Sequence, residues 1–503
     1  MMGLRARLAG ANPAADFTAS IVVFLVAMPL CMGIAIASGV PPEKGLITGI
    51  IGGLVVGLIA GSPLQVSGPA AGLAVIVFEI VRDQGLSALG PILMLAGLIQ
   101  LAAGIFRLGG WFRAISPAVV HGMLAGIGAL IVIGQFHVMF DAKPMSSGLE
   151  NLAAMPGRLM DLSLTDMRAT ELAFVIGLVT IGAMLAWERW RPASLRLVPG
   201  ALVGVVAGTL LAAAAGLGVA RVVVPSSILA AIDLPPSTFL SQLANPAIVT
   251  TAIAIAFIAS AETLLSAAAV DRMHDGPRSN YDKELRAQGI GNLLCGFVGA
   301  LPMTGVIVRS SANVQAGAVT RLSTILHGAW ILGFVALLPW LLRLIPMAAL
   351  GGILVITGWR LVSLTHARHL LRHYGALPAL IWLATFVMVV ATDLLTGVLV
   401  GMGLSLLELL PYVRRLSLRI DQRHDEGESR ISLNGVATFL SLPRLSHALE
   451  AVPGGSHIQL DLSGLRGVDH TSSEMLTDWL QRKRSQGVTV DMRGARSDLG
   501  LAR

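Results

Sequence analysis

The chain has 503 residues, of which 54% are hydrophobic and 13% are charged, and its mean hydropathy is +0.76. This composition excludes an ordinary soluble domain and indicates an integral protein of the lipid bilayer. The formal net charge of +7 does not indicate nucleic-acid binding, because the basic residues lie in short loops between apolar runs rather than in a patch with aromatic residues.

Successive apolar runs, read at roughly 20 residues per span, predict an all-α membrane fold of about fourteen segments. The first set lies near residues 17–38, 45–60, 67–81, 89–106, 115–140, 172–187 and 198–217. The second set lies near residues 247–270, 285–300, 306–316, 322–344, 347–361, 377–391 and 394–412. We therefore expect a transmembrane domain over residues 1–412, built from repeats at 17–217 and 247–412.

The third segment of each set is broken at its start by glycine and proline. The first reads Q-V-S-G-P-A-A-G-L-A-V from Gln65, and the second reads L-P-M-T-G-V-I-V-R-S-S-A-N-V-Q-A-G from Leu301. Each break leaves too few apolar residues to span a bilayer, which is typical of a half-helix that begins partway across the membrane. Because the breaks hold matching positions in two sets of seven segments, the pattern indicates 7+7 inverted repeats with a substrate site between the half-helices.

The charges of the loops predict the orientation. Basic residues recur in alternate loops, which the positive-inside rule places in the cytoplasm together with both termini. These residues are Arg5, Arg7, Arg107, Arg113, Arg189, Arg191, Arg196, Arg272, Arg278, Lys283, Arg286, Arg360, Arg368, Arg372, Arg414 and Arg415. The loop from Asp141 to Glu171 has few bases, as expected of an external loop. We expect a multi-pass protein of a bacterial inner (plasma) membrane.

The character of the chain changes after Tyr412. Residues 413–434 are rich in charge and are expected to form a linker. Beyond them, residues 458–462 alternate as a strand does, residues 474–484 have helical spacing, and residues 488–491 read as another strand. This pattern predicts a small cytoplasmic α/β domain over residues 435–503.

Five motifs carry a resemblance to a known family. They are A-S-G-V-P-P-E-K-G-L from Ala37, Q-V-S-G-P-A-A-G-L from Gln65, I-S-P-A-V-V-H-G-M from Ile115, A-E-T-L-L-S-A-A-A-V-D-R from Ala261 and T-G-V-I-V-R-S-S-A-N-V-Q-A-G-A from Thr304. In this order they resemble the SulP family of anion transporters (solute carrier family 26). D-L-S-G-L-R-G-V-D-H-T from Asp461 resembles the STAS domain of the same family. The resemblance implies a core domain that moves against a gate domain, a homodimer and a cytoplasmic STAS domain.

Residues at the two breaks are the candidates for binding a small anion. The first half-helix opens with Ser67, Gly68, Pro69 and Ala70, and the second carries Val308, Arg309, Ser310 and Ser311. The N-terminus of a half-helix presents unpaired N–H groups and partial positive charge, small residues let a ligand approach the backbone, and serines supply hydroxyl donors. Arg309 is a full positive charge at membrane depth, where an ionisable residue indicates a functional site. Close helix packing is the alternative role of the small residues.

Glu262 is the candidate for coupling, because a carboxylate inside an apolar helix is costly unless it has a function. It is expected to carry a proton, to bind Na⁺, or to pair with Arg309. Thr263 and Ser266 add oxygen atoms on neighbouring faces of the same helix. Glu43 lies at the external end of an earlier helix, where it either takes up protons or is merely solvated.

Other polar residues receive structural interpretations. Glu79 and Arg82 are three residues apart and are expected to form an ordinary helical pair. Asp469 precedes Thr471 at a predicted strand-to-helix turn, where a helix cap is favoured over a phosphorylation site. Cys31 and Cys295 lie in apolar runs and are expected to be core residues.

These features predict a secondary active transporter of a small anion (sulfate, bicarbonate or a C4-dicarboxylate) that works by alternating access. Symport with H⁺ is favoured, with Na⁺ symport or anion exchange as alternatives. A nucleobase permease of the same general fold and a non-transporting membrane scaffold are the other classes considered. The sequence contains no Walker motif, no Cys/His metal-ligand spacing and no Ser–His–acid constellation, so we expect neither an enzyme nor a bound cofactor or metal.

Overall fold

The computed structural model describes residues 13–112, 116–145, 147–162, 168–223, 228–235, 245–271, 273–274, 276–407, 418–425, 428–452, 457–485 and 487–494. Six of the basic residues used to predict the orientation lie outside these ranges; they are Arg5, Arg7, Arg113, Arg272, Arg414 and Arg415.

The membrane part consists of helices joined mostly by short loops. In chain order they are α1 (Pro13–Ala37), α2 (Pro42–Ile59), α3 (Ala74–Gln84), α4 (Leu89–Ile105), α5 (Pro117–Val138), α6 (Gly148–Met160), α7 (Ala169–Trp190), α8 (Gly200–Ala214), α9 (Pro246–Asp271), α10 (Tyr281–Phe297), α11 (Ile307–Gln315), α12 (Leu322–Leu337), α13 (Met347–Leu361), α14 (Leu364–Tyr374), α15 (Ala376–Ala391) and α16 (Leu394–Leu407). Shorter helical turns lie at Leu86–Ala88, Gly109–Phe112, Ala193–Leu195, Ile228–Ala231 and Pro339–Leu342.

The apolar runs predicted the membrane helices. Within the described residues, each run coincides with one of the helices, and α6 and α14 lie in the connections between runs. Seven helical stretches in this part of the chain are long and apolar enough to cross a membrane, and four shorter apolar helices accompany them. The prediction of a multi-pass, all-α membrane fold is therefore confirmed.

Both broken segments begin as short strands. β1 (Ser67–Pro69) and β2 (Met303–Gly305) pair antiparallel, with Gly68 opposite Thr304. α3 follows β1 after one turn at Ala71–Leu73, and α11 follows β2 almost directly. The pairing satisfies backbone N–H and C=O groups that a hydrocarbon environment would leave without partners. Its antiparallel direction is the one expected when two equivalent segments enter from inverted repeats.

The second helix of each repeat holds the chain that leads into the opposite half-helix. On α2, Thr48 accepts a hydrogen bond from the amide of Leu301 at 2.9 Å and donates to its carbonyl at 3.0 Å. On α10, Gln288 donates to the Ser67 hydroxyl at 2.7 Å, and Glu284 accepts two backbone N–H bonds at 2.7 and 2.8 Å from the loop before β1. Each repeat thus positions the half-helix of the other.

α4 and α10 pack with their backbones close together. Gly90, Gly97 and Gly104 recur every seven residues on α4. A Cβ atom on Gly97 would lie 2.5 Å from the amide nitrogen of Leu293 and 2.7 Å from the carbonyl oxygen of Gly289. Small residues at such positions let transmembrane helices gain dispersion contacts that side chains would otherwise prevent. This close approach fixes α10, and with it the support of β1.

The chain divides into two compact units. The first comprises the described residues of Met1–Gly109, Ile127–Val362 and Val390–Leu394, and it contains β1, β2, α3 and α11. The second comprises the described residues of Gly110–Gly126, Ser363–Val389 and Leu395–Arg503. One apolar cluster inside the second unit has Ala118, Val119, Ala125, Leu370, Ile381 and Trp382 as its buried members.

The C-terminal domain is a sheet with two helices. Its elements are β3 (Leu418–Asp425), β4 (Glu428–Ala437), α17 (Leu442–Glu450), β5 (His457–Asp461), β6 (Leu465–Val468), α18 (His470–Ser485) and β7 (Val490–Arg493). The strand order is β3-β4-β5-β7, with β6 also paired to β4; β3 is antiparallel and the other pairings are parallel. β5, α18 and β7 lie where the sequence predicts a strand, a helix and a strand.

The expected linker at residues 413–434 is wrong from residue 418 onward, because β3 and the first part of β4 occupy that stretch. Its charged residues alternate with Leu418, Ile420, Ile431 and Leu433, which pack in the core of the domain. A strand with one face on the core and the other toward solvent exposes every second side chain, so its composition resembles that of a solvated linker. Residues 413–417 lie outside the described residues.

Asp469 caps α18, as the sequence indicates. Its carboxylate accepts hydrogen bonds from the amides of Ser472 at 2.8 Å and Phe439 at 2.5 Å, and Thr471 and Ser472 are buried. The substitution Asp469→Ala is expected to cost about 1 kcal/mol and to speed amide exchange in the first turn of α18 about fivefold. Hydrogen exchange read by mass spectrometry on the full chain measures this, with Ser463→Ala as the control. Unchanged exchange at residues 470–474 would contradict the cap.

Candidate functional site

Hydrogen bonds join the starts of the two broken segments. The amide of Val306 donates to the carbonyl of Val66 at 2.9 Å, and the amide of Val66 donates to the Ser310 hydroxyl at 2.9 Å. The Ser310 hydroxyl donates in turn to the carbonyl of Val306 at 2.7 Å. The residue before β1 is therefore tied to the first turn of α11, which holds the two half-helix starts against each other.

The candidate serines differ in their surroundings. The hydroxyls of Ser67 and Ser310 are buried and engaged with Gln288, Val66 and Val306. The Ser310 hydroxyl ties the two segments together, whereas the Ser67 hydroxyl accepts from Gln288 on α10; their binding of a ligand stays a prediction. Ser311 lies on the outer face of α11 and donates to the carbonyl of Val308 at 3.0 Å. Gly68, Pro69 and Ala70 are buried.

One face of α11 is open and leads to a cleft. Val308 is 39% exposed, and Ser311, Ala312 and Gln315 follow it at helical spacing on the same face. A cleft of about 310 Å³ begins at Ala312 and is lined by Val22, Val26, Arg191, Arg196, Leu197, Pro199, Gln315 and Ala316. Two of these residues, Arg191 and Arg196, belong to a loop that the sequence places in the cytoplasm.

Arg309 is a fully buried and unpaired charge. It is 0% exposed, and none of its three guanidinium nitrogens has a hydrogen-bond partner among the described residues. Its guanidinium occupies the space beside Gly68 that any larger residue would fill, because a Cβ atom there would overlap Nη1. A buried charge without a partner is strongly unfavourable. The arrangement therefore favours a bound anion next to β1 and α11.

The structure adds two neighbours of Arg309 that sequence reasoning missed. Cys31 on α1 and His327 on α12 are both 0% exposed, and Arg309 is the charged group that acts on each of them. The His327 ring is bonded through Nδ1 to the carbonyl of Thr324 at 3.0 Å, and its Nε2 has no partner within the described chain. No local signal indicated these contacts, because each residue lies in an ordinary apolar run.

Glu262 lies against the other half-helix. A Cβ atom on Gly72, in the turn before α3, would come 2.7 Å from Glu262 Oε2. The polar groups that act on the carboxylate are the backbone of Gly72 and the hydroxyl of Thr304 on β2, and among the described residues no basic group acts on it. No ion pair forms between Glu262 and Arg309: the Glu262 carboxylate lies against Gly72, and the Arg309 guanidinium lies beside Gly68.

The two residues that were expected to add oxygen atoms near Glu262, Thr263 and Ser266, have different surroundings. The Thr263 hydroxyl accepts a hydrogen bond from the amide of Gly305 at 3.1 Å, and its carbonyl accepts from Gln65 at 2.9 Å. Thr263 thus fixes both broken segments to α9. Ser266 is buried one turn further along the helix.

Glu43 lies apart from this cluster, at the start of α2. The next residue, Lys44, is 3% exposed and donates to Asp233 at 2.6 Å and to the carbonyl of Ala231 at 2.7 Å. Glu43 Oε2 is buried without a hydrogen-bond partner in the described part of the chain. Lys44 therefore anchors a loop to α2, and Glu43 is not brought to the half-helices.

The expected pairing of Glu79 with Arg82 is supplemented by Asp83. Arg82 and Glu79 act on each other electrostatically, and Arg82 also donates to both carboxylate oxygens of the adjacent Asp83, at 2.6 and 2.9 Å. Glu79 in addition lines a cavity beside α3.

Comparison with known families gives two matches. The model described as "Sulfate permease family" matches residues 14–385, and the model described as "Mlab, STAS domain" matches residues 420–500. The second match begins inside β3, which agrees with the extent of the C-terminal domain seen in the structure.

Individual relatives agree with these matches. The chain is 30% identical to "Putative sulfate transporter YvdB" of Bacillus subtilis, over 86% of this chain and 82% of that protein. It is 25% identical to "Bicarbonate transporter BicA" of Synechocystis sp., over 96% of this chain and 88% of that protein. These relatives are named as transporters rather than enzymes, as the sequence led us to expect.

Solved structures share the fold. The transmembrane domain of a cyanobacterial bicarbonate transporter, BicA, superposes with a TM-score of 0.66 at 25% identity and covers 76% of this chain and 97% of that chain. The overall structure of SLC26A9 gives a TM-score of 0.69 at 16% identity, over 97% of this chain and 85% of that chain. The chain therefore belongs to the sulfate permease family, as a multi-pass membrane domain followed by a STAS domain.

Proposed function

We propose that this protein is a secondary active transporter that carries a small oxyanion, sulfate or bicarbonate, between its two half-helices. The single observation that carries the proposal is the fully buried, unpaired guanidinium of Arg309 where two antiparallel broken segments cross. An anion bound there offsets the cost of burying the charge and accepts N–H bonds from the half-helix starts. The names of the relatives supply the two substrates.

We further propose alternating access to this site, with the binding surface formed by Gly68, Ala70, Val308, Arg309 and Ser311. The cleft beside α11 measures about 310 Å³ and lies next to an arginine-rich loop. Because the cleft begins at Ala312 on the open face of α11, it supports an inward-facing state, in which the cytoplasmic route is the open one.

Coupling is assigned to Glu262, with H⁺ favoured over Na⁺. The carboxylate is buried, no basic group among the described residues acts on it, and it lies beside the first half-helix, so its charge is sensitive to what occupies the site. A protonated Glu262 would accompany the anion and reduce the net charge that crosses the membrane. Anion exchange remains the alternative mechanism.

The orientation and assembly are part of the same proposal. The loop charges support cytoplasmic termini, and the resemblance to the family supports a homodimer. Cysteine accessibility at Ser87→Cys, on the side expected outside, and at Ala193→Cys, on the side expected inside, tests the orientation in intact cells. Labelling of Ala193→Cys from outside would reverse it.

Uptake into proteoliposomes tests the function. Labelled sulfate, bicarbonate and a C4-dicarboxylate are each offered with and without an inward proton gradient, with labelled uracil as the control for a nucleobase permease. Uptake of one anion that collapses with a protonophore is the expected result. Uptake of an anion that does not depend on the proton gradient would exclude proton symport and favour anion exchange. Uptake of uracil alone, or no flux of any solute, would overturn anion transport in favour of a permease or a scaffold.

A further inference from the structure

The cavity beside α3 is not part of the anion site. It is formed by one face of α3 with Val75, Phe78 and Glu79, by α5 with Gln135, and by residues that follow α5, namely Pro144, Met145, Ser147, Gly148 and Asn151. Its volume of about 70 Å³ is enough for a small ion with water, since one water molecule occupies about 30 Å³ of liquid. All of its lining belongs to the first compact unit.

The charges around this cavity are those of a cation site. Glu79 lines it, and the nearby base on the same helix, Arg82, acts on Glu79 but is itself bound by both carboxylate oxygens of Asp83. Asp393 supplies a second negative charge that acts on Glu79. The C-terminal end of α3 lies one turn beyond Glu79, and the helix dipole adds partial negative charge there.

Gln135 gives an independent indication of a ligand. This residue lines the same cavity and is 2% exposed, and its amide oxygen has no hydrogen-bond partner among the described residues. A buried acceptor without a donor is unfavourable. A cation in the cavity offsets that cost, whereas an anion would be repelled by both Gln135 and Glu79.

Asn151 also lines the cavity, but its amide group is engaged in hydrogen bonds to the protein and adds no ligand for a cation. Its amide nitrogen donates to the carbonyls of Met145 and Ser147 at 3.1 and 2.7 Å, and its oxygen accepts from the amide of Met145 at 2.8 Å. The side-chain ligands offered by Glu79 and Gln135 are oxygens, which suit a hard cation. With one carboxylate in the lining, a monovalent ion fits the charge better than Ca²⁺, which takes 6–8 oxygen ligands.

We infer that the cavity between α3 and α5 is a second cation site, in which the Glu79 carboxylate and the Gln135 amide oxygen bind a partly hydrated Na⁺ ion. This site is separate from the proposed coupling residue Glu262, and its occupancy does not depend on anion transport. A cation bound there bridges α3, which carries half of the anion site, to α5 and its following loop.

Direct binding of ²²Na⁺ tests the inference. The full-length protein in detergent carries Glu262→Gln, so that the proposed coupling site contributes nothing, and choline replaces Na⁺ at constant ionic strength. Saturable binding is expected, weakened about tenfold or more by Glu79→Gln and about threefold or more by Gln135→Leu, in line with the loss of a charged and a neutral ligand. The control Glu188→Gln removes a carboxylate that pairs with Arg360 and does not line the cavity, and it is expected to bind normally.

Two results would overturn the site. One is the absence of saturable ²²Na⁺ binding in the Glu262→Gln protein, and the other is unchanged affinity in both Glu79→Gln and Gln135→Leu. Gel filtration confirms that each variant is folded, and Glu79→Asp, which keeps the charge, replaces Glu79→Gln if the latter aggregates; its expected affinity lies below that of the parent. Because the readout is binding, failure of anion uptake leaves this test intact.

Discussion

Replacing Arg309 with glutamine is expected to weaken anion binding by at least about tenfold without unfolding the protein. A hydrogen bond to a charged group contributes about 1.5–3 kcal/mol, and each 1.4 kcal/mol is a factor of ten in affinity. Arg309 acts on the Cys31 thiol, but none of its guanidinium nitrogens has a hydrogen-bond partner by distance and angle among the described residues, so the thermal stability measured without anion is expected to hold or rise. The measurement is the anion-dependent shift in melting temperature, together with half-saturation of uptake.

Gly68→Ala provides a second test with the charge retained. The new methyl group overlaps Nη1 of Arg309 and forces the guanidinium to move. An intermediate loss of affinity is expected, whereas the exposed Arg343→Gln serves as a control for a change of net charge and is expected to behave as the parent. If both Arg309→Gln and Gly68→Ala bind the anion normally, Arg309 does not contact or attract the substrate.

Glu262→Gln is expected to uncouple transport, lowering gradient-driven uptake by at least about tenfold. The amide keeps the shape of the carboxyl group beside Gly72 but cannot gain or lose a proton at accessible pH. A tenfold loss corresponds to removing about 1.4 kcal/mol of driving force or binding. The measurement is initial uptake with and without the proton gradient, repeated with a Na⁺ gradient, and anion exchange at equal pH is expected to persist.

Glu43→Gln is the matched control, since it removes a buried carboxylate oxygen that the structure places away from the half-helices. Full proton dependence in Glu43→Gln and none in Glu262→Gln is the expected contrast. The reverse outcome would make Glu43 the coupling group instead of Glu262. Unchanged proton dependence in both variants would exclude both acids as the coupling group.

Much of the architecture could be predicted from the sequence. Apolar runs of about 20 residues require membrane helices, because backbone groups in hydrocarbon must be satisfied within a segment. Glycine and proline at the starts of two runs marked the half-helices, and an ionisable residue inside an apolar run marked Arg309 and Glu262. The part of the expected linker from residue 418 onward could not be recognised as β3 and β4, because a half-buried strand alternates charged and apolar residues much as a solvated segment does.

What only the tertiary structure decided is which groups meet. The sequence marked Ser67, Ser310 and Thr263 as candidates, and the structure adds that their hydroxyls accept bonds from Gln288, Val66 and Gly305. It paired Glu79 with Arg82, and the structure adds that Arg82 also binds Asp83 and that Glu79 lines a cavity with Gln135. Hydrophobicity and backbone breaks are local properties, so composition and spacing determine them. A hydrogen-bond partner from a distant helix is set by packing and register, which no short stretch of sequence contains.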